Sequence, residues 1–349
     1  MKFPSGRLAF LTIGITLSLF LTSFQAPALA CIDQHPPDKP KVSKPQQPRD
    51  ETPAGKDDEI LHLGTDLVLL DVTVVDPANK PAMDLKQGDF AVTEDKVPQK
   101  IEFFSREQVP VSLVFAIDTS GSMRPRLDTV VKASSNLVKE SRSGDEVAII
   151  DFKEEATLLE EFTGNIPDVI DTLNGLVASS GTAMLDALYV AADYANKEAK
   201  NRRKAVLVVT DGLDKDSAYK FSEVVNHLRE LEVQIYMIGF TYDNDKDSGL
   251  FKKSPKEKAE SLLTKLAEET GGKAFFPREL SEVHAIAEQI STDLRTQYSI
   301  GYYPTNSKKD GSFRTVKVQV NSGTRRLIAR TRNGYVAAPR GAENRSNTK

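Results

Sequence analysis

The sequence predicts an α/β fold: a doubly wound, mainly parallel sheet flanked by a small β-domain built from the segments before and after it. Three observations carry this. Four continuous apolar runs, VPVSLVFAID, DEVAIIDF, KAVLVVTDG and VQIYMIGF, are rich in β-branched residues. Runs of this kind suit strands covered on both faces. Helical periodicity fills the chain between them, which is the alternation of a doubly wound sheet. On either side the rhythm changes to the period-two alternation of half-buried strands.

The first 30 residues read as a leader, not as part of the fold. Lys2 and Arg7 give a basic start, LAFLTIGITLSLFLTSF an apolar middle and APALA a small-residue exit. This is the pattern of a secretory signal peptide, and the apolar run is marginal for a permanent span. Cys31, the sole cysteine, follows it. Three outcomes remain open: plain cleavage and secretion, lipidation of Cys31 as in bacterial lipoproteins, or an uncleaved anchor. The lipid-acceptor pattern prefers Leu three residues before the cysteine, where this chain has Ala28. Each outcome puts the protein outside the cytoplasm, as a secreted or periplasmic protein or a membrane-tethered one. With one cysteine no internal disulfide forms. Residues 31–58 are polar and proline-rich. They hold too little apolar surface to offset the entropy of ordering, and read as a disordered linker.

Residues 59–108 form the N-terminal β segment. In DLVLLDVTVVD the residues Val68, Leu70, Val72 and Val74 make one wholly apolar face, expected to point inward. PANKP is a turn, and DFAVTED and QKIEFF are two further strands joined by DKVP. So few short strands need partners from elsewhere.

Residues 109–298 form the α/β domain. ATLLEEF is expected as an edge strand. Residues 127–138 gather Leu127, Val130, Val131, Leu137 and Val138 on one helical face, and residues 183–195 do so with Met184, Leu185, Leu188, Ala191 and Ala192. A later helix is bounded by Ser254, Pro255 and Glu257 as a capping box at its start and by Gly271-Gly272 at its end. EVHAIAEQISTDL is the last helix. Residues 299–338 return to strands: QYSIGYYP, RTVKVQV and RLIARTR, with NSKKDGS expected as a hairpin turn between the first two. These strands are expected to pair with 59–108, giving one β-domain split by the α/β domain. Residues 339–349 read as a disordered tail.

The formal net charge is −4. The basic clusters KNRRK and TRR are short and read as solvated faces, so nucleic acid is excluded as a partner.

Chemistry concentrates where the buried strands end. Open parallel sheets bind ligands beyond the carboxyl ends of their strands. Asp118 ends the first apolar run and is followed by Ser120 and Ser122; Asp211 ends KAVLVVTDG; Thr182 opens the helix in SSGTAMLDAL. Three loops at one sheet edge thus offer two carboxylates and three hydroxyls, and Gly121, Gly181 and Gly212 let those loops turn. All donors are hard oxygens, with no thiolate or imidazole. The set suits Mg²⁺, Mn²⁺ or Ca²⁺ and disfavours zinc.

Asp118-x-Ser120-x-Ser122 followed by Thr182 and Asp211 resembles the metal-ion-dependent adhesion site (MIDAS) of von Willebrand factor type A (VWA) domains. The resemblance implies that Ser120, Ser122 and Thr182 touch the metal, with Asp118 and Asp211 acting directly or through water. The flanking stretches VTVVDPANKPAMDLKQGDFAVTEDKVPQKIEFF and YSIGYYPTN…FRTVKVQV…ARTRNGYVA are similar to the bacterial VWFA-related, Acidobacterial-type group, over roughly residues 60–338.

Other motifs carry less. DNDKDSG, Asp243 to Gly249, has alternate acids like an EF-hand loop but lacks its sixth-position Gly and twelfth-position Glu, and reads as a solvated loop. His35, His62, His227 and His284 are scattered without ligand spacing. No nucleophile elbow, Walker loop or Cys–His pairing is present, so no enzymatic activity is expected. The expected function is a metal-dependent, adhesion-type protein-binding module whose cation accepts an Asp or Glu carboxylate from a partner protein. The alternative is a scaffold or subunit of an envelope assembly in which the metal only braces the loops.

If the β-domain is split as expected, deleting residues 300–338 unfolds the N-terminal strands. Hydrogen exchange over residues 67–105 checks this: loss of protection is expected, and retained protection contradicts the pairing.

Overall fold

A computed structural model describes residues 67–241 and 254–337. Residues 1–66, with the expected leader and linker, residues 242–253, with the DNDKDSG stretch, and residues 338–349, with the expected tail, lie outside the described residues. The chain order is β1 (Val68–Val75), β2 (Phe90–Glu94), β3 (Val97–Gln99), β4 (Ile101–Ser105), β5 (Val111–Asp118), α1 (Leu127–Lys139), β6 (Glu146–Phe152), β7 (Ala156–Thr163), α2 (Ile166–Asn174), α3 (Met184–Glu198), β8 (Arg203–Thr210), α4 (Phe221–Glu230), β9 (Gln234–Gly239), α5 (Pro255–Glu269), β10 (Ala274–Phe275), α6 (Glu282–Arg295), β11 (Tyr298–Tyr302), β12 (Phe313–Val320), β13 (Ile328–Arg330) and β14 (Gly334–Val336).

The central sheet has the order β10-β9-β8-β5-β6-β7. All neighbours are parallel except β6 and β7; ATLLEEF forms the edge strand its sequence suggested, and the structure shows it antiparallel. β5 is buried along its whole length, which explains the unbroken apolar run. Its alternate residues serve two cores. Leu113, Phe115 and Ile117 pack with α1, α2 and α6. Val114 and Ala116 pack with α3, α4 and α5. The capping box at α5 is formed: Glu257 N donates to Ser254 Oγ at 3.1 Å, and Ser254 N donates to Glu257 Oε2 at 2.9 Å.

The flanking segments build two four-stranded antiparallel sheets, β13-β1-β11-β4 and β14-β12-β2-β3. Both contribute to one core, in which Leu70, Val72 and Val74 meet Tyr298, Ile300, Val316 and Val318. β1 pairs with β11 from Val68↔Tyr302 to Val72↔Tyr298, so the segments before and after the α/β domain share sheets.

The structure corrects several details. NSKKDGS is not a hairpin turn: β11 and β12 lie in different sheets, and the stretch between them crosses from one to the other. It is pinned by Arg314, whose guanidinium donates to the carbonyls of Asn306 (3.1 Å) and Lys308 (2.6 Å). DKVP is not a four-residue connection. Asp95 and Lys96, at φ +47° and +70°, make a two-residue turn, and Val97-Pro98-Gln99 pairs with β2. Positive φ at both central residues matches the twist of the flanking strands. The outward face of β1 is partly buried as well: Thr73 is 0% exposed because the α/β domain covers it, with Gln297 bridging Thr73 (3.2 Å) and Gln234 (2.7 Å).

The two domains meet at the amino ends of the parallel strands. Asp71 of β1 accepts two hydrogen bonds from Arg202, at 3.2 and 3.0 Å, just before β8. Arg330 reaches Asp293 of α6 at 2.5 Å, and Arg332 donates to Leu69 O at 2.9 Å. The carboxyl ends of the strands lie at the opposite edge.

Inside the β-domain, Glu94 is 2% exposed and takes three donors: Tyr302 Oη (2.9 Å), Tyr335 Oη (2.8 Å) and Arg314 Nη1 (3.3 Å). Burial and the Glu94 carboxylate hold both tyrosines well above their usual pKa. Arg314→Ala strands a buried charge and is expected to cost about 3–5 kcal/mol. Tyr335→Phe removes one hydrogen bond to that charge and is expected to cost about 1–2 kcal/mol. Urea unfolding midpoints give the order; a Tyr335 effect as large as that of Arg314 contradicts it.

Candidate functional site

Parallel pairing puts the ends of β5 and β8 side by side, with Ile117 opposite Val209. The next residues are therefore neighbours, and Thr210 Oγ1 donates to Asp118 Oδ2 at 2.7 Å. Asp118 Oδ1 accepts from Ser120 N at 2.9 Å. Asp118 is 0% exposed, and burial pushes its carboxyl up to about 6; the bonds from Ser120 and Thr210 oppose the shift, and the nearby charge of Asp211 adds to it. No positive side chain is among these influences.

Residues 121–123 form a single tight turn, and Met123, fully buried, plugs it into the core. The turn brings Ser120 Oγ and Ser122 Oγ to 3.0 Å from each other. Ser120 is buried and Ser122 exposed, so the pair runs from the core to the surface.

The loop before α3 is stitched to this turn. Ser179 N donates to Thr119 O at 2.7 Å, and Ser120 and Ser179 form a parallel bridge. Gly181, at φ +82°, passes so close to Glu154 that a Cβ would lie 2.1 Å from its Cγ. Only glycine fits there. Thr182 follows, buried, and its N–H donates to Asp216 Oδ2 at 2.6 Å. Its carbonyl accepts from Lys215 N and Asp216 N at 3.0 and 3.2 Å. Asp211 is 3% exposed and accepts from Leu213 N at 3.0 Å. Thr210 Oγ1 also accepts from Gly212 N at 3.1 Å, so one hydroxyl fixes both Asp118 and the turn after Asp211. The five sequence-predicted residues thus lie on three loops at one sheet edge, and those loops hydrogen-bond to one another.

Residues 112–289, about half the chain, match the von Willebrand factor type A domain family. The chain belongs to this family. The VWA domain is a module often used in protein–protein adhesion. Among solved structures, this chain is similar to an aerotolerance-related membrane protein from Bacteroides fragilis NCTC 9343, at 19% identity over 53% of this chain and 98% of that one, TM-score 0.42. It is similar to the conserved hypothetical protein BatB from Bacteroides thetaiotaomicron, at 20% identity over 52% and 98%, TM-score 0.41. It is also similar to the vWF domain of the type V pili tip protein Mfa5 from Porphyromonas gingivalis, at 15% identity over 53% and 95%, TM-score 0.41.

Several residues that shape this edge of the VWA domain were not singled out from sequence. Thr210 is one; its hydroxyl is hidden in an apolar run. The stretch 214–217 is another. Asp214 Oδ1 accepts from Met184 N (3.0 Å) and Ser217 Oγ from Leu185 N (3.1 Å), capping α3 from a distant loop. Asp186 returns the favour by accepting from Ala218 N and Tyr219 N at 2.9 and 2.8 Å. The signal was the density of Asp and Ser in DGLDKDS, a composition that favours caps and turns.

His35, His62 and DNDKDSG lie outside the described residues, and the two described histidines stay apart. His227 stacks on Tyr189 at 3.8 Å between ring centroids, and burial lowers its pKa. His284 is exposed, 3.2 Å from Glu288. Among the described residues no group of three or more His, Cys, Asp or Glu is placed to hold a metal ion. The set at this edge reaches five donors only through its three hydroxyls. No described helix is long and apolar enough to cross a membrane.

The raised Asp118 pKa sets a pH dependence for the metal-free protein. The folded state keeps the proton to about pH 6, the unfolded chain only to about 3.8, so stability is highest below the lower value and falls as pH rises through the window. With chelator present, Asp118→Asn is expected to be more stable than wild type at pH 7, by on the order of 2 kcal/mol, and similar at pH 4. Thermal melts at the two pH values check this.

Proposed function

We propose that the protein is an extracytoplasmic, non-enzymatic binding module that recognises a partner protein through a divalent cation. In this reading the edge is a MIDAS. Ser120, Ser122 and Thr182 hold Mg²⁺, Mn²⁺ or Ca²⁺, and Asp118 and Asp211 act directly or through water. The observation that carries the reading is the placement of these five oxygen-bearing residues on three mutually bonded loops at one sheet edge. The donor chemistry fits a hard cation. The buried, anionic character around Asp118 fits too, since a cation there would offset the cost of a desolvated carboxylate.

The ion would supply electrophilic attraction for an incoming carboxylate. The protein's own residues do the rest. Thr210 orients Asp118, Asp216 fixes Thr182, and the exposure of Ser122 leaves one side of the site facing solvent. Placement outside the cytoplasm rests on the leader-like residues 1–30, with Cys31 the lipid acceptor if the mature protein is tethered.

Asp118→Ala and Asp211→Ala are each expected to weaken Mg²⁺ or Mn²⁺ binding about 10–100-fold by calorimetry, and to abolish partner capture from envelope extract. Capture undiminished in excess chelator overturns the reading. If melting depends on metal while capture does not, the cation only braces the loops and the scaffold alternative holds.

A further inference from the structure

A groove of about 250 Å³ lies beside the Ser122 turn, on the same edge of the sheet. Pro125 and Arg126 line it from the start of α1, Phe240 from the end of β9, and Pro277, Arg278 and Leu280 from the stretch after β10. Phe240 and Pro277 are buried and make an apolar floor, while Leu280 is 38% exposed at the rim. Arg126 joins this groove to the site. It donates from Nη1 to the Ser122 carbonyl at 2.9 Å, and its guanidinium stands 5.8 Å from the centre of the Phe240 ring.

Charge divides the edge into two flanks. Arg126 and Arg278 line the groove, whereas Arg124 donates to the Ala178 carbonyl at 3.4 Å, on the loop before α3. Arg278 is exposed and takes part in no hydrogen bond or ion pair among the described residues. The one acid lining the groove, Glu279, accepts from Ser281 Oγ at 3.2 Å. On the far side, Glu154, Asp186, Asp214 and Asp216 surround the loops that carry Thr182 and Asp211, with Lys215 as a counter-charge and Lys153 turned to Asp151 at 3.4 Å.

Resting on the metal-bridged reading above, we propose that the partner is an acidic peptide segment in which the metal-seeking carboxylate is followed by an apolar side chain and a second acid. The apolar side chain enters the groove over Phe240 and Pro277, and the second carboxylate pairs with Arg278 and Arg126. Repulsion from the acidic flank sets the direction in which the segment lies, because the reversed orientation places its second carboxylate against Glu154 and Asp216. Each part of this recognition uses a feature of the edge that metal binding alone leaves without a role.

The test uses the full chain with Mn²⁺ flowed over three peptides at high surface density: Gly-Asp-Leu-Asp-Gly, the same with Asn for the second Asp, and the same with Ser for Leu. The first is expected to bind most tightly, by about fivefold over the Asn peptide, the scale of one exposed ion pair. Arg278→Glu, at an exposed position, is expected to bring that ratio to about one or below; its melt, compared with wild type, reports that the fold is kept. Equal binding of the first two peptides, a ratio unchanged by Arg278→Glu, or no binding of any peptide overturns the proposal. A parallel Mn²⁺ titration separates the two levels. Metal bound without peptide discrimination defeats this inference and leaves the metal reading standing; no metal bound defeats both.

Discussion

A carboxylate at the end of a strand that has no contact with water has to be provided for, and most of the carboxyl-end edge follows from how this is done. Asp118 sits where β5, covered on both faces, delivers it. A lone ionised carboxylate in such a place is costly. Here the next strand offers the Thr210 hydroxyl and the following turn offers the Ser120 N–H, and each bond constrains a loop. The parallel register that aligns Ile117 with Val209 is what makes the first bond available. The geometry of the edge is therefore tied to the most rigid part of the sheet.

The loops around that carboxylate support one another instead of resting separately on the sheet. Residues 214–217 cap α3, and α3 answers through Asp186. Ser179 fastens the approach to Thr182 onto the Asp118 loop. Gly181 is required because the chain passes against Glu154 with no room for a side chain. Such mutual bonding fixes these oxygens relative to one another, and for the cation proposed above it would lower the entropy lost on binding.

The β-domain contributes by position. It grips the amino ends of the parallel strands through Asp71, Thr73 and Arg330, the edge opposite the site. Its own stability draws on strands from both sides of the α/β domain, so the ends of that domain are held together.

The central strands, their order of burial and the α5 cap were legible in the sequence because each depends on local pattern: an apolar run, a helical face, a Ser-Pro-x-Glu start. That Asp118 and Asp211 stand at one edge was legible for a related reason, since sheet topology sends every parallel strand end to the same side. Tertiary structure decided the rest. Whether QYSIGYYP pairs with the next strand or with one more than two hundred residues earlier is not encoded in the turn between them; Arg314 and the shared core settle it. The roles of Thr210 and Asp216 depend on partners 92 and 34 residues away. Local sequence specifies conformations and faces, but a hydrogen bond across the fold exists only once packing has fixed both ends.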